Sequence, residues 1–374
     1  MIRAALWFVG LFALAVAIAL FAGNNEGMVS LFWSPYRVDI SLNMLLLALL
    51  ATFAIGYAAL RAFSALLMLP QNAKRWRQQQ KERQMYLAFV ESFSHLQAGR
   101  YVRASKSAQT LLKLSDELRN EHAKVPQDST MRAIAHMFAA DSAHALRNVE
   151  ERDRHYAQAL EDVPLNGSQQ QQEVREGAQM RAARWALDDR DPQEALRRLD
   201  QLAPGAKRRT MALRIKLKAG RLAREVQTSL ETARLLYKHG GLSTEAASGI
   251  VRSLLQEQLH DTHDSAQVQQ LWSDLPSVER QDADIVLSFA QRWLHVGGDS
   301  TTARSWLLPL WERYVQSPRQ MHAGQQQRLF MCLQQALEDL DADWLARIES
   351  AQRAAPQDAL LQYLAGMACV QRQL

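Results

Sequence analysis

The densest polar run in the chain is His260-Asp261-Thr262-His263-Asp264. Two imidazoles at i and i+3 between carboxylates are a start on a zinc or iron site. Such a site needs a third and fourth ligand and an ordered outer shell, which the stretch does not supply. It also falls between two helical patterns, where Asp and Thr are common caps, so a helix turn is the stronger reading. His136 and His144 lie eight residues apart, with Met131 and Met137 nearby. With Cys332 and Cys369 they are the side chains that could ligate a porphyrin iron over an apolar slot. Met and His at helical spacing are more often core or flank residues. Trp185, Trp272, Trp293, Trp306, Trp311 and Trp344 suit a partner-binding groove or packing between helices. Packing is favoured, with Trp293, Trp306 and Trp311 expected inside one helix pair.

No serine-hydrolase elbow, phosphate-binding loop, HExxH or paired carboxylate stands out from ordinary helix surface charge. The weight therefore moves from catalysis to binding. No catalytic or metal-binding residue is assigned, no cofactor is expected, and the chain is not expected to be an enzyme. Two cysteines in 374 residues exclude a disulfide-dense scaffold and any four-thiolate metal site.

The elements that must carry these residues are helices. Glycine (16) and proline (10) are scarce for the length, which disfavours a sandwich or barrel of many turns. From about residue 84 the chain is a series of amphipathic segments such as Ala88–Leu96 and Ile285–Leu294, with apolar residues at the helical period. The breaks carry helix-stop chemistry: Gly99, Val125–Asp128, Pro164 with Asn166-Gly167, Asp191-Pro192, Pro204-Gly205, Gly220, Gly240-Gly241, Pro276, Gly297-Gly298, Pro318 and Pro356. They predict about fourteen helices in an antiparallel, all-α stack.

The segments recur in pairs. Leu96-x2-Gly99-x-Tyr101-x2-Ala104 and Asp299-x3-Ala303-x3-Leu307-x2-Leu310 fit the middle of a tetratricopeptide repeat. Tyr156-x2-Ala159-x4-Pro164 and Ala195-x3-Leu199-x2-Leu202 fit its second helix, and Leu361-x2-Leu364-Ala365 the opening of another. Small residues let two helices cross closely while larger ones fill the groove between repeats. Residues 84–374 are therefore expected to form a degenerate tetratricopeptide-like α-solenoid. The last repeat opens near Pro356; either the chain is cut short at Leu374 or Ala359–Leu374 is a cap.

The N-terminal part is different. Ala4–Ala22 and Ile40–Leu60 are free of charge and long enough to cross a bilayer core of roughly 20 residues per helix. A cleaved signal peptide competes for the first, but only Arg3 precedes it and no small-residue cleavage site stands clear of the run. Residues 1–65 thus read as a two-span anchor, with spans at 4–22 and 40–60. The connecting segment 23–39 contains Met28–Trp33, which could be a short strand. A loop resting on the bilayer, with Trp33 and Tyr36 as interface anchors, is the preferred reading. Pro70 is expected to end or kink the second helix.

The formal net charge of +5 has one address. Residues 61–83 hold Arg61, Lys74, Arg75, Arg77, Lys81 and Arg83 against Glu82 alone. Residues 66–83 therefore read as a basic linker beside the membrane, able to hold anionic lipid heads. The positive-inside rule then places both termini in the cytoplasm. The rest of the chain has no cationic excess, which argues against nucleic acid as a partner.

Two charge-free spans, a basic linker and degenerate repeats make a specific arrangement. The most distinctive stretch is Gly27-x-Val29-x6-Tyr36-x-Val38-x2-Ser41, followed by Leu60-Arg61-x-Phe63. With Gly99-x-Tyr101 and Asp299-x3-Ala303 it resembles the HemY proteins of Gram-negative bacteria, which are haem-biosynthesis-associated membrane proteins. These are framework residues, not catalytic ones. The unrelated flavin oxidase sharing that name is excluded, because no GxGxxG follows a strand. The resemblance implies an inner-membrane protein with a cytoplasmic repeat domain, linked to late protohaem synthesis. Inner-membrane lipids and haem-pathway enzymes are the implied partners, with porphyrin a further candidate. It leaves two functions open: a tethered scaffold, or a porphyrin carrier or enzyme.

Overall fold

The computed structural model describes Leu14, Ala15, Ile18 and residues 27–371. The expected span at 4–22 lies outside the described residues apart from those first three, which are helical. The described chain is overwhelmingly α-helical, with one two-stranded exception.

That exception is the segment read as a loop. β1 (Met28–Trp33) pairs antiparallel with β2 (Tyr36–Ser41), in a register from Met28↔Ser41 to Trp33↔Tyr36. The reason is in the sequence: Tyr36-Val38-Ile40 alternate with the polar Arg37, Asp39 and Ser41, and they follow the apolar, aromatic-rich Met28–Trp33 across the two-residue turn Ser34-Pro35. α1 (Leu42–Gln97) starts directly at the end of β2, where the Met44 N–H donates to Ser41 Oγ at 3.3 Å. Leu42–Phe63 is long and apolar enough to cross a membrane. Its 22 residues rise about 33 Å, against a hydrocarbon core of about 30 Å. Pro70 does not end the helix, which runs on through it. Proline removes one backbone hydrogen bond, and 56 residues of otherwise helical pattern outweigh that local loss. The basic stretch 66–83 is therefore part of a continuous helix.

The chain forms two compact units, residues 1–94 with 106–126 and residues 95–105 with 127–374. In the first, Met85, Ala88 and Ser92 of α1 are buried, as are Ala108, Leu111 and Leu118 of α2 (Tyr101–Asn120). Lys81 bridges Glu117 at 2.7 Å and Glu121 at 2.8 Å, so one cation of the basic block is neutralised within the protein.

The second unit is a chain of helices: α3 (Asp128–Ala145), α4 (Val149–Asp162), α5 (Gln169–Asp188), α6 (Pro192–Asp200), α7 (Pro204–Lys207), α8 (Thr210–Leu222), α9 (Val226–Lys238), α10 (Thr244–His260), α11 (Ser265–Ser273), α12 (Ala283–His295), α13 (Ser300–Gln316), α14 (Ala323–Gln335), α15 (Ala342–Ala354) and α16 (Ala359–Gln371). Successive helices pack as pairs, and helices two apart also touch, as in α3–α5, α6–α8 and the run α10–α12–α14–α16, while α5 reaches α8 past the short α7. One core runs from Leu213 to Ala368, and smaller ones gather around Ala195 and Trp185.

Within the pairs one turn recurs. Arg147, Arg190, Arg224 and Gly297 all have left-handed backbone, with φ of 61°, 64°, 58° and 78°. The next residue's N–H closes a six-residue ring on the helix just finished: Asn148 N to Ala143 O, Asp191 N to Ala186 O, Glu225 N to Gly220 O and Gly298 N to Trp293 O, at 2.8–2.9 Å. This satisfies carbonyls that the helix end leaves free. The following helix is capped at once, by the side chains of Asn148, Asp191 and Asp299.

Gly220, expected as a break, instead lies inside α8, and the break is at Arg224. A Cβ at Gly220 would come within 2.6 Å of Ser229 Oγ, so the glycine serves the close crossing of α8 and α9. Left-handed arginine is strained where glycine is not. Arg224→Gly is therefore expected to stabilise the protein by about 1 kcal/mol, seen as a raised denaturation midpoint. A lowered midpoint would show that the Arg224 side chain contributes more than its backbone strain costs.

Candidate functional site

Each helix face decides what its polar residues can do. His136 sits on the core face of α3 between Ala133 and Ala140, and His155 on the core face of α4 near Ala159; both are about 5% exposed. Their Nδ1 atoms lie 3.0 Å apart, so one ring carries the shared proton and the other accepts it. His136 Nε2 is 3.8 Å from Asp162, which also takes the Arg132 guanidinium at 3.3 Å. Glu151 lies 3.7 Å from His155 Nε2. Burial first, then the neighbouring His155 and Arg132, pushes His136 down to about 4. Burial, with Arg154, lowers His155 as well. At neutral pH this is an uncharged imidazole pair.

His144, on the same helix, faces other partners. It stacks on Trp185 at 5.8 Å, meets Arg152 Nη1 at 3.3 Å and Asp188 at 3.6 Å. Arg152 is buried and pairs with Asp189 at 2.5 Å. Trp185 Nε1 donates to Asp141 Oδ1 at 3.2 Å, and burial raises that carboxyl above its ordinary range. The two candidate histidines are thus split between two networks. His155 and Arg152 complete these networks and were not legible as partners. The signal available was their i, i+3 spacing on the buried face of α4, where charge is uncommon. Met131 and Met137 are buried core residues.

The His260–Asp264 run is a helix turn. Asp264 caps α11 by accepting from Gln267 N at 2.8 Å. Thr262 is buried and donates to Leu259 O at 2.6 Å, while Arg292 from α12 donates to the carbonyls of His260 and Thr262. Among the described residues no three side chains of His, Cys, Asp or Glu converge as a metal site. Cys332 is buried, which pushes its thiol up to about 11, and Cys369 is exposed; neither is in a disulfide.

The tryptophans pack. Trp272 stacks on Trp306 at 4.5 Å, and Trp306 meets Trp293 at 5.1 Å. Trp311 does not join them: it faces Phe330 and Trp344 of the following helices, because position 311 lies beyond one turn of α13 from Trp306.

A concavity of about 770 Å³ lies in the second unit along α10, α12 and α14. It presents Gln256, Gln291, Gln335, His260, His295, Arg328 and Glu338. A charge ladder crosses the same three helices: Arg252 to Asp284 at 3.1 Å, and Asp284 to Arg328 at 3.6 Å. Such a wall offers hydrogen bonds and charge rather than an apolar slot.

No curated protein matches the chain. The family model described as HemY protein N-terminus matches residues 27–147, from the start of the hairpin to the turn after α3. Over this N-terminal third, which includes the hairpin, the Leu42–Phe63 segment and the helices that follow it, the chain is similar to the HemY family.

Proposed function

We propose that the chain is a membrane-tethered repeat scaffold for late protohaem synthesis at the bacterial inner membrane, acting by protein–protein interaction without catalysing a reaction itself. The match of residues 27–147 to the HemY N-terminal family model supports the association with haem biosynthesis. The apolar Leu42–Phe63 segment and the cations after it support a membrane anchor with the helical part in the cytoplasm. The repeated left-handed turn and the contacts between helices two apart support a tetratricopeptide-like solenoid over residues 84–374.

The observation that carries the scaffold reading is the polar groove along α10, α12 and α14. A repeat groove offers one continuous surface to a polypeptide, and an anchor raises the partner's effective concentration at the membrane. The alternative, a porphyrin carrier or enzyme, would draw on the histidines. Haem output in cells carrying either an untethered chain or one stripped of four histidines separates the two readings, with loss expected only in the first.

A further inference from the structure

The two faces of the β1–β2 hairpin differ in charge. The pairing register stacks Val29 on Ile40, Leu31 on Val38 and Trp33 on Tyr36, so one face is wholly apolar. Within it Leu31, Trp33, Tyr36 and Val38 are 52%, 82%, 73% and 49% exposed. The other face carries the exposed Met28 and Phe32 but also all the hairpin's charge: Ser30, Arg37 and Asp39 form one cluster, with Arg37 Nε donating to Asp39 at 3.1 Å, Ser30 Oγ donating to the same carboxylate, and the guanidinium lying 5.3 Å over Phe32. Its charges are satisfied locally and can face water.

Position decides what covers the apolar face. β2 passes into α1 without a linker, and the Leu42 N–H donates to Gly27 O at 2.9 Å, so both ends of the hairpin are tied to the start of the apolar helix. A helix that spans from Leu42 holds the hairpin at the boundary between hydrocarbon and headgroups. Tryptophan and tyrosine concentrate at that depth. A protein partner is the weaker occupant. Two six-residue strands cover about 20 Å by 10 Å, roughly 200 Å², against the roughly 800 Å² per side of a stable interface. A bilayer needs no such minimum, because the adjoining span already confines the hairpin to it.

We propose that the hairpin is an interfacial lipid-binding element, which lays its Leu31–Trp33–Tyr36–Val38 face into the headgroup–acyl boundary at the N-terminal end of the Leu42–Phe63 span. This rests on the membrane-anchored reading above, and the test separates the two. The full chain, in a Cys369→Ser background with buried Cys332 kept, is placed in nanodiscs of phosphatidylethanolamine and phosphatidylglycerol. Single spin labels are introduced through Leu31→Cys and Val38→Cys on the apolar face, Met28→Cys and Phe32→Cys on the other, and Phe53→Cys within the span. Collision rates are measured with oxygen, which partitions into lipid, and with a water-soluble nickel chelate. Labels at 31 and 38 should resemble that at 53, favouring oxygen several-fold, while those at 28 and 32 favour the chelate. Equal chelate access on both faces would overturn the proposal, since the hairpin would then stand in water. Shielding of 31 and 38 from both reagents would overturn it too, by placing a second copy or another protein on that face. Loss of oxygen access at 53 would remove the span itself, and the proposal with it.

Discussion

Arg304→Met should destabilise the C-terminal half of the protein by about 3 kcal/mol. Arg304 lies in α13 and is only 2% exposed. Its guanidinium donates to Ala336 O at 2.5 Å, Glu338 O at 3.0 Å and Asp339 O at 3.1 Å, so it holds the turn between α14 and α15 from the neighbouring pair. Methionine keeps much of the volume and none of the donors, leaving several carbonyls at a helix C-terminus unpaired. Arg304→Lys should recover only part of the loss, because a single ammonium cannot reach carbonyls spread over that turn. Denaturant unfolding followed by circular dichroism gives the answer. A loss below about 0.5 kcal/mol would mean that water satisfies the carbonyls instead. Arg175 and Arg292 make the same kind of contact, the first to Leu160 O and Val163 O at 2.9 and 2.8 Å. Cross-pair arginines closing helix ends are thus a recurring means of joining neighbouring helices.

Acid should weaken the α3–α4 pair next. His136 is pushed from an ordinary 6.5 down to about 4 by burial, and His155 is lowered in the same direction. Between those pH values the unfolded chain binds protons that the folded chain refuses. Stability is therefore complete above about 6.5 and falls as pH drops toward 4. The loss from His136 should be about 2 kcal/mol once solvent screening is allowed for. Geometry gives the same sign, because two protonated rings would turn N–H against N–H across 3.0 Å. His136→Leu with His155→Leu should flatten the dependence between pH 7 and pH 5. An unchanged slope would place the acid sensitivity outside this imidazole pair.

The helices were legible because their apolar period is strong and their caps are local: Asp191, Asp264 and Asp299 each signal a start that the structure uses. The hairpin was harder. A two-stranded sheet is marginal alone, and its alternation over six residues competes with an aromatic-rich loop. Gly220 misled because a glycine that permits a helix crossing looks like one that ends a helix, while Arg224, which takes the left-handed turn, carries no such mark. The networks around His136 and Trp185 depend on packing between helices. Sequence spacing placed His136 and His144 on one helix, but only the fold separates their partners, His155 and Arg152.

The tethered-scaffold account is tested most directly by haem accumulation in cells whose own copy has been replaced at native abundance. Two variants are compared. One removes residues 1–83, and its remaining chain is checked for helical circular dichroism. The other retains the full chain with His136, His144, His260 and His263 all replaced by Ala, also checked for folding. If tethering a binding surface is the function, the first variant loses most haem synthesis and the second retains it, because none of the four histidines is needed to raise the local concentration of a partner. If the untethered chain sustains haem synthesis while the folded four-histidine variant fails, the scaffold account is contradicted and a ligand-site mechanism takes its place.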